Sequence, residues 1–458
     1  MDGMARKRAI ASTLAALRNR VLPAGGLRRR LIEGSAWSVF GTGVAQAFGL
    51  LTNVVTARLL GRDAYGELGM ALTTVNTLTV VGALGLGVTA TRFIAESRAT
   101  DPARTRILVD TCLRLTWVSS AIVAILLGLG ANVLSTDLLK AGQLRTGFIV
   151  SSLLIVVSSV NGTQLGALAG LENFEGLAKS SICRGLAGIA FIPAGAHFWG
   201  LDGALVGYVV AGAATLTYTG RILRETMGDA ASTGSAKAQK SPTRELLRFT
   251  VPVLLSGIAF APAAWWTNAL IAKRAGFGEL ALFNAASQCQ TIILFLANAV
   301  SAVGLPLLSN SAGMLDRATY VRTLRATGLA HLSATTVVAI PVAIFAPYLL
   351  RLWGPTFGAG STVLMILSFA AIVNSINNTV GQVIWSLNRP MLGMSLSLFR
   401  AVVLCAGTYL WVDRGATGLA LATLSLAVVL AIIQIPIAWR IVARACSQPN
   451  LQSREQNA

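Results

Sequence analysis

Charge is what this chain lacks. Of its 458 residues only 12% are Asp, Glu, Lys or Arg, against roughly 25% in an ordinary soluble domain. Acids are the scarcer sign: 18 Asp and Glu stand against 37 Lys and Arg, a net charge of +19. Histidine occurs only at His197 and His331, far apart in sequence and no ligand pair by spacing. The five cysteines, Cys112, Cys183, Cys289, Cys405 and Cys446, contain no CxxC pair. This argues against a zinc site or a disulfide framework. No GxSxG, HExxH or phosphate-loop motif is present. No cofactor, no metal and no enzymatic activity are therefore expected. The positive balance is not read as nucleic-acid binding either, since no soluble domain is available to hold it.

What fills the chain is apolar. Hydrophobic residues make up 54% of it, and mean hydropathy is +0.67. A bilayer-spanning helix needs about 20 apolar residues, and uncharged stretches on that scale recur throughout. They are too long and too uniformly apolar to alternate as barrel strands. The pattern predicts twelve helices, at 33–56, 66–92, 107–134, 147–170, 178–198, 201–220, 249–271, 280–307, 323–349, 361–387, 391–411 and 415–439.

The chain also says one sentence twice. Thr52-Asn53-Val-Val-Thr-Ala57-Arg58 returns as Thr267-Asn268-Ala-Leu-Ile-Ala272-Lys273, and Gly61 returns as Gly276. Tyr65-Gly66-Glu67-Leu68 returns as Phe277-Gly278-Glu279-Leu280 after a shorter loop. Gly200 and Gly203 match Gly415 and Gly418. Each half holds six helices, an even number, so both halves start on the same side. The expected fold is an all-α polytopic membrane protein of about twelve helices, in two six-helix lobes related by a parallel repeat. Such halves usually enclose a path where they meet, so the repeat points to transport.

Charge orients the chain. With the N-terminus inside, cytoplasmic segments and their edges hold 26 basic residues and the outer loops 8. That bias places both termini in the cytoplasm. The expected division is a basic N-terminal extension at 1–30, a lobe at 31–225, a small-residue linker at 226–245, a second lobe at 246–441 and a tail at 442–458. The extension reads as an interfacial basic helix or a disordered tail, and Met4 offers a second start within it.

The pattern A-R-x-L-G-x-x-x-Y-G at Ala57–Gly66 resembles the polysaccharide transporters of the multidrug/oligosaccharidyl-lipid/polysaccharide flippase superfamily. Gln164-Leu-Gly-Ala-Leu-Ala-Gly170-Leu-Glu-Asn-Phe174 and Leu350-Arg-Leu-Trp-Gly354-Pro-Thr-Phe357 fit the same pattern. The resemblance covers about 33–440. It implies two lobes around a cavity open alternately to each side of a bacterial cytoplasmic membrane. It also implies a cargo of polyprenyl-pyrophosphate-linked oligosaccharide, for O-antigen or exopolysaccharide. Membrane lipids and other polysaccharide assembly proteins are the further partners it suggests.

Three arginines fall inside predicted helices: Arg114, Arg184 and Arg400. A central charge costs roughly 2.5–3.5 kcal/mol to insert, so these are the sharpest substrate-binding candidates. Each lies about 9–14 Å from the cytoplasmic end of its helix. A guanidinium fork there suits a pyrophosphate; the alternative for Arg114 and Arg184 is snorkelling to the interface. Asp110, four residues before Arg114, either neutralises it or serves as a protonatable coupling site. Asn53 and Asn268 occupy matching repeat positions, as do Asn76 and Gln288, and either bind sugar or cross-link helices. Asn374, Asn378 and Gln382, with Asn377 beside them, give a polar face to the tenth predicted helix. Glu67 and Glu279 cap helix starts or form an outer gate with Arg58 and Lys273. Trp117, Trp265, Trp266, Trp353 and Trp411 either stack on sugars or sit in the interfacial belt. Pro252 and Pro262 predict a bend in the seventh helix.

Arginines rather than acids in the predicted cavity favour an anionic cargo over the cations typical of drug efflux. The leading reading is thus a lipid-linked oligosaccharide flippase, with a multidrug or small-metabolite antiporter second. A membrane polymerase or acyltransferase comes third, lacking catalytic groups and a large outer loop.

Overall fold

Asn53 and Tyr65 are twelve residues apart, which along one straight helix is about 18 Å. Yet the Tyr65 hydroxyl donates to Asn53 Oδ1 at 3.1 Å, so the chain must reverse between them. It does so at Gly61, with φ 78°, a conformation glycine adopts without steric cost. This computed structural model describes residues 27–228, 246, 250, 254, 257–258, 260–313, 317–386 and 390–445. The basic extension up to residue 26, the linker core at 229–245 and the tail from 446 lie outside those residues.

The helices are α1 (Leu27–Gly82), α2 (Leu86–Ser97), α3 (Pro102–Asn132), α4 (Leu144–Gly170), α5 (Phe174–Met227), α6 (Ala261–Arg274), α7 (Phe277–Gly313), α8 (Arg317–Ile344), α9 (Ala346–Arg351), α10 (Ser361–Ser386), α11 (Pro390–Trp411) and α12 (Gly415–Ala445). Among the described residues there is no strand. Both α1 and α5 are hairpins. In α5 the reversal is at Trp199 and Gly200, and the hairpin's two ends meet where Asn173 Nδ2 donates to Thr226 Oγ1 at 2.6 Å. Its two arms touch backbone to backbone: a Cβ on Gly203 would lie 2.0 Å from Gly195 O. With each hairpin counted as two passes, and with α2 and α9 continuing the passes before them, the described residues make twelve passes in two six-helix lobes, an all-α membrane fold.

The repeat is visible in the backbone. Gly200 has φ 58° and ψ −133°, and its sequence partner Gly415 has φ 57° and ψ −134°. Gly61 and Gly276 likewise both have positive φ.

Two expected helices are interrupted. The predicted helix at 66–92 breaks at Leu84 and Gly85, both with positive φ. The Gly82 carbonyl freed there accepts from Ser119 Oγ at 2.6 Å. The predicted helix at 249–271 breaks at Phe260, and Pro262 falls in the first turn of α6, where its missing N–H costs nothing. Pro252 lies outside the described residues.

The lobes share one apolar core at the end that carries the glycine turns. Tyr65, Leu68 and Phe148 of the first lobe join Leu280, Trp353 and Phe357 of the second there. At the opposite, arginine-rich end the cores separate. Leu86, Ile94, Leu108 and Leu168 form one, and Tyr320, Val383, Ala438 and Val442 another. The segment entering α6 leans on the first lobe, where the Thr250 and Thr89 hydroxyls are 3.0 Å apart. The lobes therefore share one core at the glycine-turn end, while at the other end their cores are separate and the segment entering α6 bridges them.

Candidate functional site

The first lobe holds a cavity of 440 Å³. The first arm of α1 supplies Gln46 and Asn53, α4 supplies Asn161, and α5 supplies Arg184 and Tyr208, while Gln288 reaches it from α7 of the other lobe. Among the described residues Arg184 is the one charged side chain lining it. Among the described residues no carboxylate pairs with Arg184. Its guanidinium therefore presents donors to the cavity with no built-in counter-charge. Amides and hydroxyls surround it: Asn161 Nδ2 donates to Thr219 Oγ1 at 3.3 Å, and Asn53 Nδ2 to Gly49 O at 2.8 Å. Gly49 and Gly162 line the wall, and a Cβ at either would meet nothing within 4 Å. The missing side chains leave room for a ligand. A cavity this polar, with one fixed positive charge, suits an anion bearing hydroxyl groups.

A second constellation closes the glycine-turn end. Arg58 Nε donates to Leu352 O at 2.6 Å across the lobes. Arg62 Nε donates to Gly278 O at 2.9 Å, and Arg62 Nη2 pairs with Glu279 Oε1 at 2.7 Å. The other oxygen of Glu279 accepts from Ala416 N at 2.9 Å, at the start of α12, where a carboxylate is favoured. One carboxylate thus ties the first lobe, α7 and α12 together. Below it the Tyr65 and Phe357 rings meet edge to face at 5.8 Å. A Cβ on Gly66 would lie 1.9 Å from Phe277 O, and one on Gly69 would lie 1.8 Å from Asn284 Nδ2. The first approach, onto backbone, is open only to glycine; at the second the Asn284 side chain would have to turn away.

The profile of the family described as polysaccharide biosynthesis protein matches residues 31–312. The chain belongs to this family. No curated protein sequence matches it. Among solved structures it resembles an inward-facing multidrug resistance MATE transporter of the MOP superfamily, at 15% identity and TM-score 0.68, over 90% of this chain and 99% of that one. An outward-facing structure of such a transporter matches at 16% identity and TM-score 0.65, over 92% and 97%. A MOP superfamily transporter from Pyrococcus furiosus matches at 16% identity and TM-score 0.64, over 93% and 97%; its description cites a binding pocket of reverse polarity that suggests a different function. At such identities these structures share the fold alone with this chain.

In this family member two of the three sequence motifs meet each other. Ala57–Gly66 supplies Arg58 and Tyr65, and Leu350–Phe357 supplies the Leu352 carbonyl and Phe357 that they touch. The third is a turn: Asn173 caps α5 by accepting from Gly176 N at 2.7 Å, and Gly166 packs on the Gly87 carbonyl.

Of the candidate substrate residues, the cavity gathers Arg184 and Asn53. Arg114 and Arg400 are not among its lining residues. Arg400 lies over the Phe260 ring, 5.3 Å from its centroid, at the break before α6, a cation–π contact. Arg114 and Asp110 are both exposed on α3 and form no ion pair, correcting the pairing expected from their spacing. An exposed pair gains too little to hold two long side chains in one geometry. Asn268 Nδ2 donates to Thr73 Oγ1 at 3.4 Å, a link between lobes rather than a cavity contact. On α10 the buried amide is Asn377, which donates to Ala427 O at 2.9 Å. Asn374, Asn378 and Gln382 share another face of that helix.

The expected gate partners also change. Glu279 pairs with Arg62, not with Arg58 or Lys273, and Glu67 Oε1 accepts from Gln143 Nε2 at 2.9 Å. Lys273 is exposed at the end of α6. Arg62 was missed because an arginine in a loop carries no insertion cost to flag it. Trp353 is buried in the shared core, and Trp265 Nε1 donates to Thr74 Oγ1 at 2.9 Å, so neither ring is free to stack on a sugar here.

Proposed function

We propose that this protein flips a polyprenyl-pyrophosphate-linked oligosaccharide from the inner to the outer leaflet of a bacterial cytoplasmic membrane, by alternating access. The observation that carries the reading is the cavity whose one charged lining residue is Arg184. An anionic pyrophosphate fits a lone guanidinium, and sugar hydroxyls fit the amides beside it. Arg114 and Arg400, near the arginine-rich end, serve entry rather than the cavity itself, and Asn374, Asn378 and Gln382 wall the passage between lobes. Both termini are cytoplasmic in this reading, so the arginine-rich end opens inward and the glycine-turn end is the closed outer gate. Arg58, Arg62 and Glu279 hold that gate, with Glu67 and Lys273 at its margin. Asp110 remains a candidate for coupling.

Deletion of the gene in the native cell, with glycan assembly otherwise intact, tests this. Surface polysaccharide should vanish and the lipid-linked unit should accumulate on the inner leaflet. Arg184→Ala at normal expression should fail to restore either. Unchanged glycan pools with reduced efflux of a drug or metabolite would replace the reading by the antiporter that the MATE neighbours suggest.

A further inference from the structure

The second lobe carries a groove of 260 Å³ between α8, α10 and α12, close to the arginine-rich end. Its lining is hydrocarbon, from Leu332, Ile376, Val380 and Val442 among others. The one hydroxyl in it, Thr379 Oγ1, already donates to Ser375 O at 3.0 Å. Nothing in the groove therefore asks for a polar partner. Its mouth faces sideways: Leu329 is 67% exposed, Ile435 47% and Trp439 54%. On a membrane-spanning helix such faces meet acyl chains.

Charge stands directly beyond the groove. Arg322 and Arg325 lie on α8 seven and four residues before Leu329, so helical spacing puts all three on one stripe. Arg325 is about one turn, some 6 Å, from Leu329 along the axis. Both arginines are exposed and have no ion-pair partner among the described residues. Trp439, at the mouth on α12, has the amphipathic ring that favours the headgroup level.

We propose that this groove is a binding site for an anionic phospholipid of the adjacent leaflet, one acyl chain in the groove and the phosphate on Arg322 and Arg325. Charge complementarity selects the headgroup, and the apolar lining selects the chain. The cargo's isoprenoid tail is a poorer occupant. By helical spacing the groove residues Ile376, Val380 and Val383 lie on the opposite side of α10 from Asn378, away from the polar face assigned to the passage. The site is thus a structural or regulatory lipid site on the flank of the second lobe.

The test is native mass spectrometry of the full chain in detergent, titrated with phosphatidylglycerol, phosphatidylethanolamine or undecaprenyl phosphate. One phosphatidylglycerol should be retained more tightly than either other lipid. R322Q/R325Q should weaken that retention by about fivefold for each arginine, the scale of one basic side chain at an anionic surface, and leave phosphatidylethanolamine unchanged. Ile435→Trp, which fills the mouth, should weaken both phospholipids. Equal retention of phosphatidylglycerol and phosphatidylethanolamine, tighter retention of undecaprenyl phosphate, or no change in either variant would overturn the site. None of these readouts depends on flipping, so the result stands apart from the proposed transport.

Discussion

On the proposed reading, Arg184 is the residue on which cargo chemistry turns. Its donors face a cavity with no carboxylate among the described lining residues, so a phosphate would complete a pairing that these residues leave open. A charge-assisted hydrogen bond is worth about 1.5–3 kcal/mol, and Arg184→Ala should weaken binding of a pyrophosphate-bearing lipid accordingly. Arg184→Lys should recover part of it, since the charge stays but the planar fork is lost. Titration of the purified variants with polyprenyl pyrophosphate checks both. Two glycines on α4 make a sharper contrast. Gly162 borders open cavity, whereas a Cβ on Gly166 would lie 2.2 Å from the Gly87 carbonyl. Gly162→Leu should raise helix stability by up to about 1 kcal/mol while blocking transport. Gly166→Ala should instead cost about 1–3 kcal/mol through overpacking. Thermal unfolding beside a flipping assay separates the two. Arg184 is legible in sequence because a charge in an apolar run is costly. The open space at Gly162 is not, because a cavity depends on what three other helices leave empty.

Among the elements, the hairpins were the most legible and the breaks the least. Gly61, Gly200, Gly276 and Gly415 announce reversals because the repeat aligns them and because each needs a positive φ. The interruption at Leu84 and Gly85 falls in an apolar run with no proline, so local sequence gives no warning. It exists because Ser119 of α3 takes the freed Gly82 carbonyl. Ser119→Ala should therefore cost about 1–3 kcal/mol, the penalty for leaving a buried carbonyl unpaired, with Ser119→Thr recovering it. Chemical denaturation of the two variants reads the difference. The polar stripe of α10 was half legible. Periodicity finds the face, but Asn377 rather than its neighbours is the amide that holds α12, and only the packing of the two helices decides that.

At the scale of the molecule, two lobes that share a core at one end and keep separate cores at the other match, on the proposed reading, one half of an alternating-access cycle. The other half requires the shared end to open. Several small contacts then matter together: Arg58 on Leu352, Arg62 on Glu279 and Gly278, Tyr65 on Phe357. Arg62 and Glu279 are each about one-third exposed, at 30% and 32%, so their pair is worth at most about 1 kcal/mol. That is too little to lock the end but enough to bias a two-state balance severalfold. Glu279→Gln should shift the protein toward the state open at the glycine turns without unfolding it. A disulfide gives the converse. The position of a Gly69 Cβ against Asn284 Nδ2 puts the two side chains within the reach of a cystine. In a background without the native cysteines, G69C/N284C should cross-link under oxidation and stop flipping, and reduction should restore it. Flipping that continues through the oxidised protein would mean that this end never needs to part, and the rocking mechanism would fail with it.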